Sequence, residues 1–96
     1  METNVKTRDY IISKLEQKYP QMNCRTTEEF DGQSGGIWIS AEDGIEDRKG
    51  NLLFNQWSDS SRYTCGVVYH LNRWANRNGW WFEWYDGGTM MIWPEV

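Results

Sequence analysis

Residues 79–96 read GWWFEWYDGGTMMIWPEV and hold four of the seven tryptophans of the chain. Two runs rich in strand-favouring residues, 80–85 and 89–93, flank Asp86-Gly87-Gly88, a connection with the glycines that tight hairpin turns favour. The stretch therefore predicts an aromatic β-hairpin. Alternation along a strand puts Trp80, Phe82 and Trp84 on one face and Trp81, Glu83 and Tyr85 on the other. An even-numbered loop would bring Met91 and Trp93 to the first face, and a three-residue loop would bring Met90 and Ile92 there. Aromatics lie on both faces, so one face builds the core and the other is free for a different task.

Working outward, 96 residues suffice for one domain with one core, and a chain this short buries only somewhat more than about 60% of its unfolded surface. Aromatics make up 16% of residues while the mean hydropathy is −0.82, so a few large side chains must supply most of the apolar burial. The net charge of −4 argues against direct nucleic-acid binding, which draws on clustered Lys and Arg, and favours solubility and a basic partner. Cys24 and Cys65 fit neither a disulfide framework nor a metal-site spacing. Without a hydrophobic leading segment, the expectation is reduced thiols, a cytoplasmic location and no metal or cofactor. No apolar run approaches the ~20 residues that span a bilayer, so no membrane role is expected.

Along the chain, residues 4–19 predict an amphipathic helix. Thr3 or Asn4 can cap it, Val5, Ile11, Ile12, Leu15 and Tyr19 recur at helical spacing, and Pro20 ends it. Residues 22–30 alternate with period two, broken only at Glu28, and predict a strand that pairs with residues 37–41 across a Gly-rich loop. That loop matches neither dinucleotide- nor triphosphate-binding patterns. Residues 52–54 add a third short strand. Asp59-Ser60-Ser61 supplies caps for a second helix whose stripe is Tyr63, Val67, Val68, Leu71, Trp74 and Ala75, closed by Asn78-Gly79. The fold class is α+β: an antiparallel sheet of four to five strands with two helices, in the order α-β-β-(β)-α-β-β. The hairpin face Trp80, Phe82 and Trp84 is expected to pack on the second helix.

Charge is unevenly spread. Acids dominate residues 28–59, with Asp31, Glu42, Asp43, Glu46, Asp47 and Asp59 forming the candidate surface for a basic partner. Their order does not match a calcium loop. The next segment has no acid, and on the predicted second helix Arg62, Tyr69, His70, Arg73 and Arg77 fall on one basic face. Cationic residues also suit the end of a helix through its dipole. Five positions apart on one helix, Cys65 and His70 would lie roughly 140° around the axis, which excludes a thiolate–imidazole dyad. Glu83 among tryptophans invites comparison with glycosidase acids, but a short chain offers little wall for a cleft, and an enzyme is not expected.

The element order resembles that of double-stranded RNA-binding domains. Ser60-Ser61-Arg62-Tyr63 lacks the Lys-rich helix start those domains need, so RNA binding does not carry over. The segment Gly79-Trp80-Trp81-Phe82-Glu83-Trp84-Tyr85-Asp86-Gly87-Gly88-Thr89, closing on Ile92-Trp93-Pro94, resembles the ends of small uncharacterised proteins of bacteriophages and mobile elements. That resemblance, covering under a fifth of the chain, implies action against a host defence system and assigns no active residue. Two functions are then expected. In one, a non-enzymatic protein inhibits a host nucleic-acid-binding effector through its acidic surface and the aromatic face Trp81, Glu83 and Tyr85. In the alternative, an oligomer, most simply a homodimer, sequesters a nucleotide signal whose phosphates meet Arg62, His70, Arg73 and Arg77. A small structural or assembly protein is the third expectation.

Overall fold

In the structure, a computed structural model, the described residues are 5–30, 32–58 and 60–95. The expected caps Thr3 and Asn4 lie outside them. Helix α1 spans Arg8–Lys18 and begins at Thr7, whose hydroxyl accepts a hydrogen bond from the Tyr10 N–H at 3.2 Å. A short strand β1 (Arg25–Thr26) runs into a helical turn α2 (Thr27–Phe30), and β2 (Ile37–Ser40) follows. Strands β3 (Tyr63–Thr64) and β4 (Val67–Val68) lead into α3 (Tyr69–Arg77), and the chain closes with β5 (Trp80–Asp86) and β6 (Thr89–Pro94).

The main sheet is antiparallel, in the order β1-β2-β6-β5, and β3-β4 form a separate small hairpin. The expected hairpin is thus the edge pair of the sheet, with Phe82 opposite Ile92 and Trp84 opposite Met90. The loop itself is Gly87-Gly88, and an irregularity between Trp84 and Asp86 leaves Tyr85 without a partner. That extra residue restores the face pattern of an odd-numbered connection, so Met90 and Ile92 point inward with Trp80, Phe82 and Trp84. Neither loop glycine has positive φ. Gly88 instead lies in close approach to a flexible side chain, since a Cβ there would stand 2.5 Å from the Glu42 carboxylate.

The core lies between the inner face of this sheet and the helices α1 and α3. Rows of side chains cross the strands, with Ile37 beside Ile92 and Ile39 beside Met90. Against them pack Ile11 and Leu15 of α1, Val67 and Val68 of β4, and Leu71 and Ala75 of α3, all buried. Trp80 is fully enclosed, removing roughly 150–250 Å² of surface from water by itself.

Three expectations are corrected. Residues 22–30 do not stay extended. The Glu29 carboxylate accepts from Thr26 N–H, and Glu28 accepts from Gly35 N–H and from Arg8, and these bonds hold the chain in the α2 turn. The second helix does not begin at residue 60. Cys65-Gly66, both with positive φ, turn Tyr63–Thr64 back onto β-branched Val67–Val68, and the helix starts only at Tyr69. Residues 52–54 make isolated bridges, Glu46 with Leu52 and Phe54 with Val67, instead of a strand.

Gly79 follows α3 with φ +81°, and a Cβ there would come within 2.7 Å of the Val5 backbone. Gly79→Ala therefore combines left-handed strain with a backbone clash, whereas the atoms facing Gly88 end a flexible side chain. Gly79→Ala is expected to cost about 2 kcal/mol or more, lowering Tm by roughly 10 °C, and Gly88→Ala to cost less than about 1 kcal/mol, both read by denaturant and thermal melts.

Candidate functional site

The outward face of the hairpin holds the residues expected there. Trp81 and Tyr85 are 37% and 49% exposed, and Glu83 is exposed between them, its Oε1 accepting from Trp93 Nε1 at 3.2 Å. This face continues onto β2 through Met91, which stands opposite both Glu83 and Trp38. The α2 turn swings Phe30 over the strands, 4.9 Å from the Trp38 ring and 4.9 Å edge-on to Tyr85. Beneath these rings Met91 is only 1% exposed although it lies outside the main core. The Trp38 indole N–H is buried there without a partner among the described residues. Part of the outer face is thus a second, shallow aromatic cluster, and Trp81 and Tyr85 are its open margin.

The acidic residues separate into two groups; Asp31 and Asp59 lie outside the described residues. Asp47 is turned inward, its side chain 8% exposed. Its carboxylate accepts from Lys49 N–H and Asn51 N–H, each at 2.9 Å, and its Oδ2 lies 3.0 Å from His70 Nε2. Burial pushes its pKa up, but the bonds from Asn51, His70 and Lys49 outweigh that and hold it near 2. Asp47 is therefore committed to folding its own loop onto α3, while Glu46 is exposed.

Glu42 and Asp43 are exposed at the tip of the β5-β6 hairpin. The Ala41 N–H donates to Gly88 O at 2.9 Å, and the Glu42 carboxylate lies against Gly88. Asp86 caps the turn by accepting from Gly88 N–H at 2.9 Å. Across the tip, a Cβ on Gly87 would stand 3.3 Å from the Gln56 side chain. The next residue, Trp57, is 88% exposed, at the third position of a turn closed by Ser58 N–H donating to Asn55 O. Leu52, also exposed, borders a hollow of about 110 Å³ with Glu42, Asp43 and Phe54. The tip thus gathers Glu42 and Asp86, followed by Asp43, and Gln56 leads from it to a bare indole. The signal for Trp57 in the sequence is a tryptophan set in polar, turn-forming Asn55-Gln56-Trp57-Ser58.

Of the expected basic face, Tyr69, His70, Arg73 and Arg77 lie on α3 at three- and four-residue spacings, and Arg62 falls off the helix. Arg62 lies before β3 and His70 pairs with Asp47; both border a groove beside α1, whereas Arg73 and Arg77 stand on exposed positions of α3 outside it. Cys24 and Cys65 are free thiols. Burial, and secondarily the Glu16 carboxylate, pushes Cys24 up to about 12, so it stays un-ionised at neutral pH. Among the described residues, no helix is long and apolar enough to cross a membrane, and no group of three His, Cys, Asp or Glu is placed to hold a metal. Comparisons with protein-family models, curated proteins and solved structures find no match.

Asp47 has a lowered folded-state pKa, so the unfolded chain binds more protons between its ordinary value of 3.8 and about 2. Stability from this group is complete above that range and is lost as pH falls through it. Asp47→Asn is expected to destabilise the protein at neutral pH and to flatten the stability profile between pH 4 and 2, measured by urea unfolding at each pH.

Proposed function

We propose that the protein is a non-enzymatic binding protein that inhibits a host protein by covering a basic, nucleic-acid-binding surface in the host cytoplasm. The observation that carries this reading is Trp57, 88% exposed, next in the chain to Gln56, which meets the same hairpin tip as Glu42 and Asp86. Leaving an indole in water forfeits its burial energy, and tryptophans buried by a partner are among the strongest interface anchors. Acidic side chains around such an anchor steer and orient a basic partner. The net charge of −4 agrees in sign, and the resemblance of the last strands to phage and mobile-element proteins supplies the anti-defence context. Trp81, Glu83 and Tyr85 form a second aromatic margin on the outer face of the same hairpin, available to extend the contact.

The reading predicts that expressing the protein restores phage plating on bacteria carrying the targeted defence system. Trp57→Ala should weaken the complex by about 30-fold or more, the scale of a hot-spot residue at ~2 kcal/mol, with Tm unchanged. Glu42→Lys with Asp43→Lys should abolish protection, whereas Arg77→Glu, remote from the tip, should not. Full protection by the Trp57 and double-Lys variants contradicts the proposal. Asp47 is left intact because replacing it would test folding instead.

A further inference from the structure

The C-terminal half of α1 and the first turn of α3 enclose a groove that the proposed function does not use. It has two adjoining lobes that share Gln17, Lys18, Tyr19 and His70. The smaller, about 320 Å³, is walled by Leu15, Leu71 and Trp74, with Lys14 at its edge. The larger, about 690 Å³, is bordered by Arg48, Lys49, Arg62 and Tyr69. Both volumes fall within the range of small-ligand sites, roughly 300–1,000 Å³.

Two observations mark the groove as more than a surface dip. First, five of the ten Lys and Arg residues line it, namely Lys14, Lys18, Arg48, Lys49 and Arg62, in a protein whose net charge is −4. None makes an ion pair among the described residues. Glu46 and Asp47 also border the larger lobe, but Asp47 is already engaged by Lys49 N–H, Asn51 and His70. Second, Tyr19, only 6% exposed, belongs to both lobes, and its buried hydroxyl has no hydrogen-bond partner among the described residues. An unmet buried hydroxyl is costly and rare, and it sits in a residue that both lobes share. Burial, and then the Asp47 carboxylate, push the phenol up, so it remains a donor at neutral pH. The Lys18 ammonium lies 5.8 Å from the centre of the same ring, placing a cation beside that donor.

We propose that this groove binds a small nucleotide, with its base in the apolar lobe against Trp74 and its phosphates in the cationic lobe between Lys18, Arg48, Lys49 and Arg62. The division of the two lobes carries the assignment. The wall of Leu15, Tyr19, Leu71 and Trp74 suits stacking of a planar base, which tolerates any base identity, and the cations of the adjoining lobe suit phosphate oxygens. The Tyr19 ring, which lines both lobes, lies between the base and the phosphates. An inorganic anion would use only one lobe, and an extended nucleic acid would run past both.

The test is calorimetry and thermal shift on the full chain with ATP, GTP, cyclic di-AMP and cyclic di-GMP, with adenosine and tripolyphosphate as the two halves. At least one nucleotide is expected to bind, raising Tm by roughly 10 °C at about 100 times its Kd, and to bind at least tenfold more tightly than either half. Lys18→Glu with Arg62→Glu should reduce affinity tenfold or more, with an unchanged melt in the absence of nucleotide. Arg73→Glu with Arg77→Glu, outside the groove, should bind as the wild type does. No response to any nucleotide, tripolyphosphate binding as tightly as the best nucleotide, or full binding by the Lys18/Arg62 variant would each overturn the proposal. The readout is independent of phage protection, so the groove and the Trp57 end stand or fall separately.

Discussion

Two indole N–H groups on one side of β5 fasten the rest of the chain to the sheet. Trp80 Nε1 donates to Lys6 O, and Trp84 Nε1 donates to Cys65 O, each at 2.7 Å. The first ties the approach to α1, reinforced by Lys6 N–H donating to Asn78 O; the second ties the β3-β4 turn, where Gly66 lets the Trp84 ring come close. Each bond contributes a modest net stability of about 1 kcal/mol; breaking the first also strands a polar group of the enclosed Trp80, whereas the second lies at the surface. The inner row of β5 is therefore committed, and strand alternation sends Trp81 and Glu83 outward with no further choice. Tyr85, the unpaired residue of the irregularity, completes that outer margin against Phe30.

The same commitment arranges the surface. Because the β5-β6 tip is held by Ala41 N–H and by the packing of Glu42 on Gly88, acids from two distant stretches of chain meet there. Gln56, packed against Gly87, carries Trp57 to the same end. The cations gather elsewhere, along the C-terminal half of α1 and the loop that Asp47 binds to His70. A chain of 96 residues thus presents two regions of opposite character, an acidic end with an exposed indole and a cationic groove with an unmet phenol.

Much of this was legible in the sequence where local chemistry and packing agree. Asp86-Gly87-Gly88 between aromatic runs specified the closing hairpin, and its period-two pattern correctly divided Trp80, Phe82 and Trp84 from Trp81, Glu83 and Tyr85. The second helix was read too long because Tyr63, Val67 and Val68 happen to fit a 3.6-residue stripe; Gly66 followed by two β-branched residues was the stronger, overlooked signal. Glu28 had already broken the alternation that the α2 turn ends. Asp47 resembled a free surface acid, although Asp47-Arg48-Lys49-Gly50-Asn51 has the composition of a loop closed by its own aspartate. The exposure of Trp57 and the groove between α1 and α3 depend on how distant elements sit together, which no local pattern encodes.

The central claim is that the inner indoles of β5 hold the fold while Trp57 stands free for a partner. Hydrogen exchange of the seven indole N–H groups by ¹H–¹⁵N NMR tests it directly, residue by residue. Trp80 is expected to exchange only through global unfolding, Trp84 more slowly than a free indole through its bond to Cys65 O, and Trp57 at the rate of a free indole. Rapid exchange at Trp80 or Trp84, or strong protection of Trp57 in the isolated protein, would contradict the account.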